Sequence, residues 1–367
     1  MPINWSWKQA LSSSALALLA TTCVYAIPKG PCEPKSKNVC CEEPKPGPFA
    51  FSYPKDMNLA CPSDFYFYGD FLVMQPMEDG LEFGVRDTNG NGSGSTELIG
   101  GTVLSFSSED KEYDWDFGAR IGLGFYLNHD AWTVDFQWLW YKTNQDISAS
   151  TAITGVIIPQ WIQGNTTAPA TGDSRASERW EMKMNVFDIA IGKPFHVSRH
   201  LVFEPHFGLR AAWIDQNYLA RYGGNYATEM SGKNDFWGLG SRIGFKSNWH
   251  LGSGIEMIAN SSTSLLYSNF DVKQSLPLGT NSWSLNHDFY RNSSNLEMQL
   301  GVAWGMHFND MQNHIKLQAL WEFHNWYEQN QLRKMIVDIN PGQYVNDTIS
   351  RGDLSLSGLS FKVLFDF

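Results

Sequence analysis

Residues Trp115 to Thr143 alternate between apolar and polar with a period of two, over about a dozen residues on each side of one tight turn. Trp115, Phe117, Ala119, Ile121, Leu123, Phe125 and Leu127 fall on one face; Asp116, Gly118, Arg120, Gly122, Gly124 and Tyr126 fall on the other. After Asn128-His129-Asp130, Trp132, Val134, Phe136, Trp138 and Trp140 alternate with Thr133, Asp135 and Gln137. This is a hairpin with one apolar face. Strands of soluble proteins usually run about 5–6 residues, whereas a strand that crosses a bilayer needs about 9–11. The length and the tryptophans point to a sheet with one face in lipid.

The pattern recurs down the chain. Phe203, Phe207, Leu209, Ala211 and Trp213 oppose Glu204, His206, Gly208 and Arg210. Trp237, Leu239, Ile243 and Phe245 oppose Gly238, Gly240, Arg242, Gly244 and Lys246. Leu296 to Phe308 and Ile315 to Phe323 alternate in the same way. Trp180 to Lys193 changes face near Val186-Phe187, which reads as a bulge, and His250 to Phe270 turns serine-rich after Asn260. The chain ends on Leu359, Phe361, Val363, Phe365 and Phe367, alternating with Ser360, Lys362, Leu364 and Asp366. Connections at 128–130, 194–200, 247–249 and 309–312 are short. Those at about 86–110, 144–178, 217–233, 271–294 and 335–352 are long and rich in Gly, Ser, Asn and Thr. Strict alternation of short and long connections is the asymmetry of a transmembrane barrel with periplasmic turns and surface loops. With Phe65–Gln75 as the first strand, the prediction is all-β: an antiparallel up-and-down barrel of about ten strands over residues 63–367. An extra hairpin within 80–107 would make twelve.

Composition agrees. Aromatics reach 14% while charged residues are only 18% and mean hydropathy is −0.31. Past residue 20 no apolar run approaches the roughly 18–20 residues of a spanning helix. Residues 1–26 read as a signal peptide for the general secretory route: Lys8, an apolar stretch Ala10–Ala20, and Val24-Tyr25-Ala26 before cleavage. Without it the chain keeps 26 basic and 38 acidic side chains, net −12, which argues against nucleic acid as a partner. Residues 27–62 form a Pro-rich periplasmic leader carrying Cys32, Cys40, Cys41 and Cys61. Exported thiols form disulfides; their spacing fits no zinc site, and cross-linking between chains and local stapling both stay open.

Chemical motifs are few. Asp87-x-Asn89-x-Asn91-Gly92 with Ser93 and Ser95 resembles the start of a calcium loop, but Leu98 stands where a bidentate Glu is required; a loop tip explains it. No H-E-x-x-H, G-x-S-x-G or complete G-x-G-x-x-G is present, so no enzyme, cofactor or metal is expected. His307, His314 and His324 could approach one another, as could His200 and His206 with Glu204. The inward face carries the functional argument. Arg120, Arg210, Arg242 and Lys246 share it with Asp70, Asp135, Glu204, Glu256, Glu297 and Glu322. Opposed charges along a lumen select solutes by charge. Salt-bridged, the same residues would plug it, and a barrel near ten strands is close to the size that side chains fill. Inward Gly122, Gly124, Gly208, Gly238, Gly244, Gly252, Gly254, Gly301, Ala303 and Gly305 favour the narrow pore by leaving room for water.

Several segments resemble a known family. Pro46-Gly47-Pro48-Phe49-Ala50-Phe51-Ser52-Tyr53-Pro54 with Leu59-Ala60-Cys61-Pro62, and Met77-Glu78-Asp79-Gly80-Leu81-Glu82-Phe83, are similar to chlamydial outer-membrane proteins. Phe207-Gly208-Leu209-Arg210-Ala211-Ala212-Trp213-Ile214-Asp215, Asn234-Asp235-Phe236-Trp237-Gly238 and Gly352-Asp353-Leu354-Ser355-Leu356-Ser357-Gly358-Leu359 resemble the pore-forming major-outer-membrane-protein-like family of Legionella and environmental chlamydiae. The resemblance implies a bacterial outer-membrane barrel with porin-like diffusion of small hydrophilic solutes. The alternative is a structural or adhesive surface barrel, disulfide-linked within the envelope. Expected partners are outer-membrane lipid, a barrel-assembly machinery that reads Phe361, Val363, Phe365 and Phe367, and further copies or envelope proteins.

Overall fold

The computed structural model describes residues 65–87, 102–106, 112–127, 132–151, 156–161, 175–198, 200–223, 228–278, 281–309, 313–336, 346–349 and 352–367. The signal peptide, the leader with its four cysteines, and Asn89 to Ser95 lie outside them. Ten long strands are present: β1 (Phe65–Glu78), β2 (Asp116–Tyr126), β3 (Thr133–Ser150), β4 (Arg175–Gly192), β5 (Leu201–Gly223), β6 (Thr228–Gly252), β7 (Ile255–Leu278), β8 (Asn281–Phe308), β9 (Asn313–Asn330) and β10 (Gly352–Asp366). Each pairs antiparallel with its sequence neighbour, and β10 returns to β1, with Phe71 opposite Phe361 and Phe67 opposite Phe365. The sheet is a closed up-and-down barrel of ten strands. Closure leaves no unpaired edge, which a bilayer would penalise heavily.

Side chains follow the alternation. Phe117, Ile121, Phe207, Leu209, Ile243, Leu300 and Phe361 point outward and are exposed, while Arg120, Arg210, Ala212 and Glu297 point inward and are buried. Phe365 stacks on Phe67 at 5.1 Å between ring centroids and Phe367 on Phe65 at 5.0 Å, so the terminal aromatics zip the seam where the barrel closes.

The structure departs from the sequence reading in five places. First, β5 to β8 run 23, 25, 24 and 28 residues, so 217–233 and 271–294 are mostly strand. Their outward residues there are polar, such as Asn217, Lys233, Lys273 and Asp288, because this wall rises beyond the lipid belt. Second, the predicted turn at 247–249 lies at Gly252-Ser253-Gly254. All three residues have positive φ (106°, 53° and 77°), and the two glycines reach that region without strain. Gly252 and Gly254 therefore make a turn and do not widen the lumen. Third, β4 has no bulge. Its register runs unbroken from Ser150–Arg175 to Thr133–Gly192. Trp180, Met182, Met184 and Val186 face inward throughout, and Phe187, Ile189 and Ile191 face outward. Fourth, residues 84–87 and 102–104 do not add a hairpin to the wall. Residues 84–87 pair with 102–104 on one side and with 156–159 on the other, as a separate three-stranded sheet.

Fifth, the inward glycines of β2 leave no room for water. The rings of Tyr66 and Tyr68, directly opposite Gly124 and Gly122, lie over them, and a Cβ at either glycine would collide with the ring. Both hydroxyls donate to Asp135, at 2.8 and 3.0 Å. Gly122→Ala must push Tyr68 off Asp135. An overpacked site of this kind costs about 1–3 kcal/mol, so the denaturation midpoint of the detergent-folded barrel should fall. Gly69→Ala, where nothing lies within 4 Å of the added Cβ, should leave that midpoint unchanged.

Candidate functional site

The inward charges meet at mid-height of the barrel. Asp70 on β1 stands opposite Arg120 on β2 in the register, and Arg120 Nη1 donates to Asp70 Oδ2 at 2.7 Å. The same guanidinium reaches across the lumen to β9, donating to Glu322 Oε1 at 2.9 Å and Oε2 at 2.6 Å. Arg210 on β5 repeats the arrangement. It forks onto its register neighbour Asp188 with two bonds of 2.7 Å, and crosses to β8 at Glu297 (2.5 and 2.9 Å) and Asn295 (2.6 Å). Planar guanidinium groups suit such two-pronged ties.

His324 on β9 joins the two clusters, with Nε2 3.1 Å from Glu322 and Nδ1 3.2 Å from Glu297. Arg242 on β6 adds a pair to Glu297 at 3.1 Å, and Lys362 on β10 lies 3.5 Å from Asp70. Four cations, four carboxylates and one imidazole thus form a continuous layer from wall to wall. Arg120 and Arg210 are each 1% exposed and Glu322 is 0% exposed, so the centre of the layer is dry, while Arg242, Glu297 and Lys362 border a cavity on one side of it. The inward serines of β7 serve it: Ser262 donates to Glu297 at 3.1 Å and Ser264 to Asn295 at 2.6 Å.

Toward the short-turn end the lumen opens into a polar cavity of about 200 Å³. Asp135, Glu204, His206 and Lys246 line it. Lys246 lies 3.7 Å from Glu204, and Glu256 is paired with Lys316 at 2.5 Å and His250 at 3.1 Å. Toward the long-loop end the lumen is filled by an apolar core. Leu72, Met74, Tyr141, Trp180, Met182, Phe236, Phe270 and Trp326 come from the wall; Leu81, Phe83, Leu104, Phe106, Ile157 and Trp161 come from the small sheet and its flanks.

All ten residues singled out in the sequence therefore lie on the inner face. Arg120, Arg210, Arg242, Asp70, Glu297 and Glu322 belong to the closing layer. Asp135, Glu204, Glu256 and Lys246 border the chamber or its turn end. Sequence reading missed Asp188, His324 and Lys362 as members. Asp188 carries the alternation of Val186 and Ala190, and only the supposed bulge hid it. His307 and His314 do meet, with rings stacked at 4.5 Å, while His324 stays in the layer. His206 lines the chamber, and His200 is bound to the His250 carbonyl at 3.2 Å. Among the described residues no group of three or more His, Cys, Asp or Glu side chains is placed to hold a metal ion.

A closed antiparallel barrel with an aromatic outer belt and a charged interior defines an outer-membrane β-barrel protein. Residues 61–367 match the model of the family described as the Legionella pneumophila major outer membrane protein precursor. The chain belongs to that family and is a protein of the bacterial outer membrane. No curated protein matches it. Among solved structures, the outer membrane protease OmpT from Escherichia coli is similar at 9% identity and a TM-score of 0.38, over 83% of this chain and 97% of that one. The Pseudomonas putida toluene transporter TodX follows at 10% identity and 0.30, over 83% and 90%. A Pseudomonas aeruginosa FadL homologue stands at 6% and 0.24, over the same shares. Scores this low carry no functional information.

Proposed function

We propose that this barrel is a porin-like channel for passive diffusion of small hydrophilic solutes. It is shut in the described state by its charged layer and by the apolar core beyond it. The observation that carries the reading is the lumen itself, in which a water-accessible chamber leads to a belt of opposed charges. Arg120, Arg210, Arg242 and Lys246, with Asp70, Asp135, Glu204, Glu256, Glu297 and Glu322, would set the charge preference. This assigns transport and no catalysis. Planar bilayers seeded with the folded protein should show discrete conductance steps. Folded, inserted protein that leaves liposomes sealed to small sugars and salts would sink the reading.

The dry layer favours a second reading, a structural barrel of the envelope. Then Cys32, Cys40, Cys41 and Cys61 would link it to neighbours. Non-reducing gels of outer membranes should show ladders that collapse with reductant, and monomers under both conditions would count against it. Under either reading the seam strand with Phe361, Val363, Phe365 and Phe367 is the segment that would engage the assembly machinery.

A further inference from the structure

The small sheet closes the long-loop mouth like a stopper. Gly80, at φ 83°, turns the chain from the end of β1 into the mouth. Phe83 and Trp161 are 0% and 3% exposed there. Trp161 packs on Tyr218 with ring centroids 4.8 Å apart, and the Tyr222 hydroxyl donates to the Phe83 carbonyl at 2.6 Å.

Behind the stopper stand two buried carboxylates, Glu78 at the end of β1 (4% exposed) and Glu178 on β4 (1%). No side-chain oxygen of either accepts a hydrogen bond. Both lie beyond the lipid-facing belt. At their height the wall outside is mostly polar, with Gln75 and Ser355 beside Met77 near Glu78, and Arg179 and Glu181 near Glu178. Glu78 faces Asp79, Asp353, the Gln216 amide and the Tyr113 ring. Glu178 faces Tyr113, Tyr218, Tyr222, Glu82 and Lys334. Lys334 is engaged by Glu82 at 2.6 Å, and neither the Tyr218 hydroxyl nor the Gln216 amide closes a hydrogen bond to its carboxylate. A buried, unpaired carboxylate is too costly to stay ionised; it takes up a proton or its surroundings open.

We infer that the small sheet is a plug latched by protonation of Glu78 and Glu178, seated in acid and released as the pH rises. This rests on the channel reading above. Burial pushes both carboxyls well above the ordinary carboxylate range. Once the plug leaves, water restores them to about 4.3. The seated state thus binds more protons. Its advantage is complete below the ordinary value, and the released-to-seated ratio rises by up to about tenfold per pH unit per carboxylate above it. Release also wets the charged layer. Ion pairs in water are worth little, so the layer can part and re-form around passing solute.

The test compares wild type with the double variant Glu78→Gln/Glu178→Gln, at pH 5 and pH 8, by bilayer conductance and by hydroxyl-radical labelling of Trp161. Wild type should gain about tenfold or more in open probability at pH 8, and Trp161 should become labelled. The double variant, which mimics the protonated pair, should stay shut and unlabelled at both. Equal behaviour of wild type at the two pH values, or a double variant that follows wild type, overturns the latch. A chain with Leu81→Ser, Phe83→Ser and Trp161→Ser removes the plug's anchors and should conduct at both. If it folds and is silent everywhere, the channel reading falls. The Trp161 labelling of wild type then still decides whether the plug responds to pH.

Discussion

Arg210→Met is expected to destabilise the folded barrel by about 3–5 kcal/mol, the usual cost of stripping one partner from a buried ion pair. Arg210 is 1% exposed and holds β5 to its neighbour β4 through Asp188 and to β8, across the lumen, through Glu297 and Asn295. Methionine fills much of its volume but leaves Asp188 and Glu297 to share Arg242, which lies 3.7 Å from one and 3.1 Å from the other, so one carboxylate charge loses its partner. The loss should appear as a lower guanidinium midpoint of the detergent-folded barrel. Adding Asp188→Asn to Arg210→Met should recover part of it, because one uncompensated charge disappears. The two changes are in contact and should be non-additive by about 0.5–3 kcal/mol. Arg179 gives the contrast. It pairs with Asp146 at 2.6 Å, but on the outer wall with both partners about half exposed. Arg179→Met should not move the midpoint measurably.

The second large effect concerns permeation. Glu322 and Glu297 are the far ends of both guanidinium ties that cross the lumen. Truncating them together, Glu297→Ala/Glu322→Ala, removes both carboxylate ties and some of the bulk that blocks the path, leaving only the Arg210–Asn295 bond across the lumen. It leaves Arg120, Arg210, Arg242 and Lys362 with only Asp70 and Asp188 in the layer. At pH 8, where the small sheet is released, the lumen should then conduct more than wild type and prefer anions, since an unbalanced ring of fixed charge excludes ions of its own sign. The zero-current potential across a salt gradient reads the preference directly. Glu297→Gln/Glu322→Gln, which keeps the bulk, should shift the preference with a smaller rise in conductance. An unaltered potential in both variants would show that these residues do not line the path.

Much of the fold was legible because each strand that crosses the bilayer must be apolar outward and polar inward. Trp115 to Thr143 and Leu359 to Phe367 show that pattern cleanly. The alternation of short and long connections did not hold throughout: β5 joins β6 through 224–227 and β7 joins β8 through 279–280, because these strands run on past the bilayer. The pattern broke where a strand leaves the bilayer. On β4 the outside turns polar at Asn185, Lys183 and Glu181, while the inside turns apolar at Met184, Met182 and Trp180. The apolar face changes sides while the backbone alternation does not, and this mimics a bulge. The serine-rich part of β7 misled in a related way: its inward serines serve the charged layer, while Leu265 and Tyr267 still face out.

The site was legible one residue at a time but not as a constellation. Period-two reasoning puts Arg120 and Glu322 inside. It cannot say that they meet, since 202 positions separate them in sequence and curvature alone brings β2 to face β9. For the same reason the glycines suggested empty space. Nothing local to Gly122 shows that the ring of Tyr68, on the neighbouring strand, lies over it.

Single-channel recording of the purified wild-type barrel in a planar bilayer at pH 8, beside Glu297→Ala/Glu322→Ala, tests the central claim most directly. The account predicts discrete steps from wild type, and larger, anion-preferring steps from the variant. Folded and inserted barrels that give no steps in either case would show that the lumen is not a conduction path.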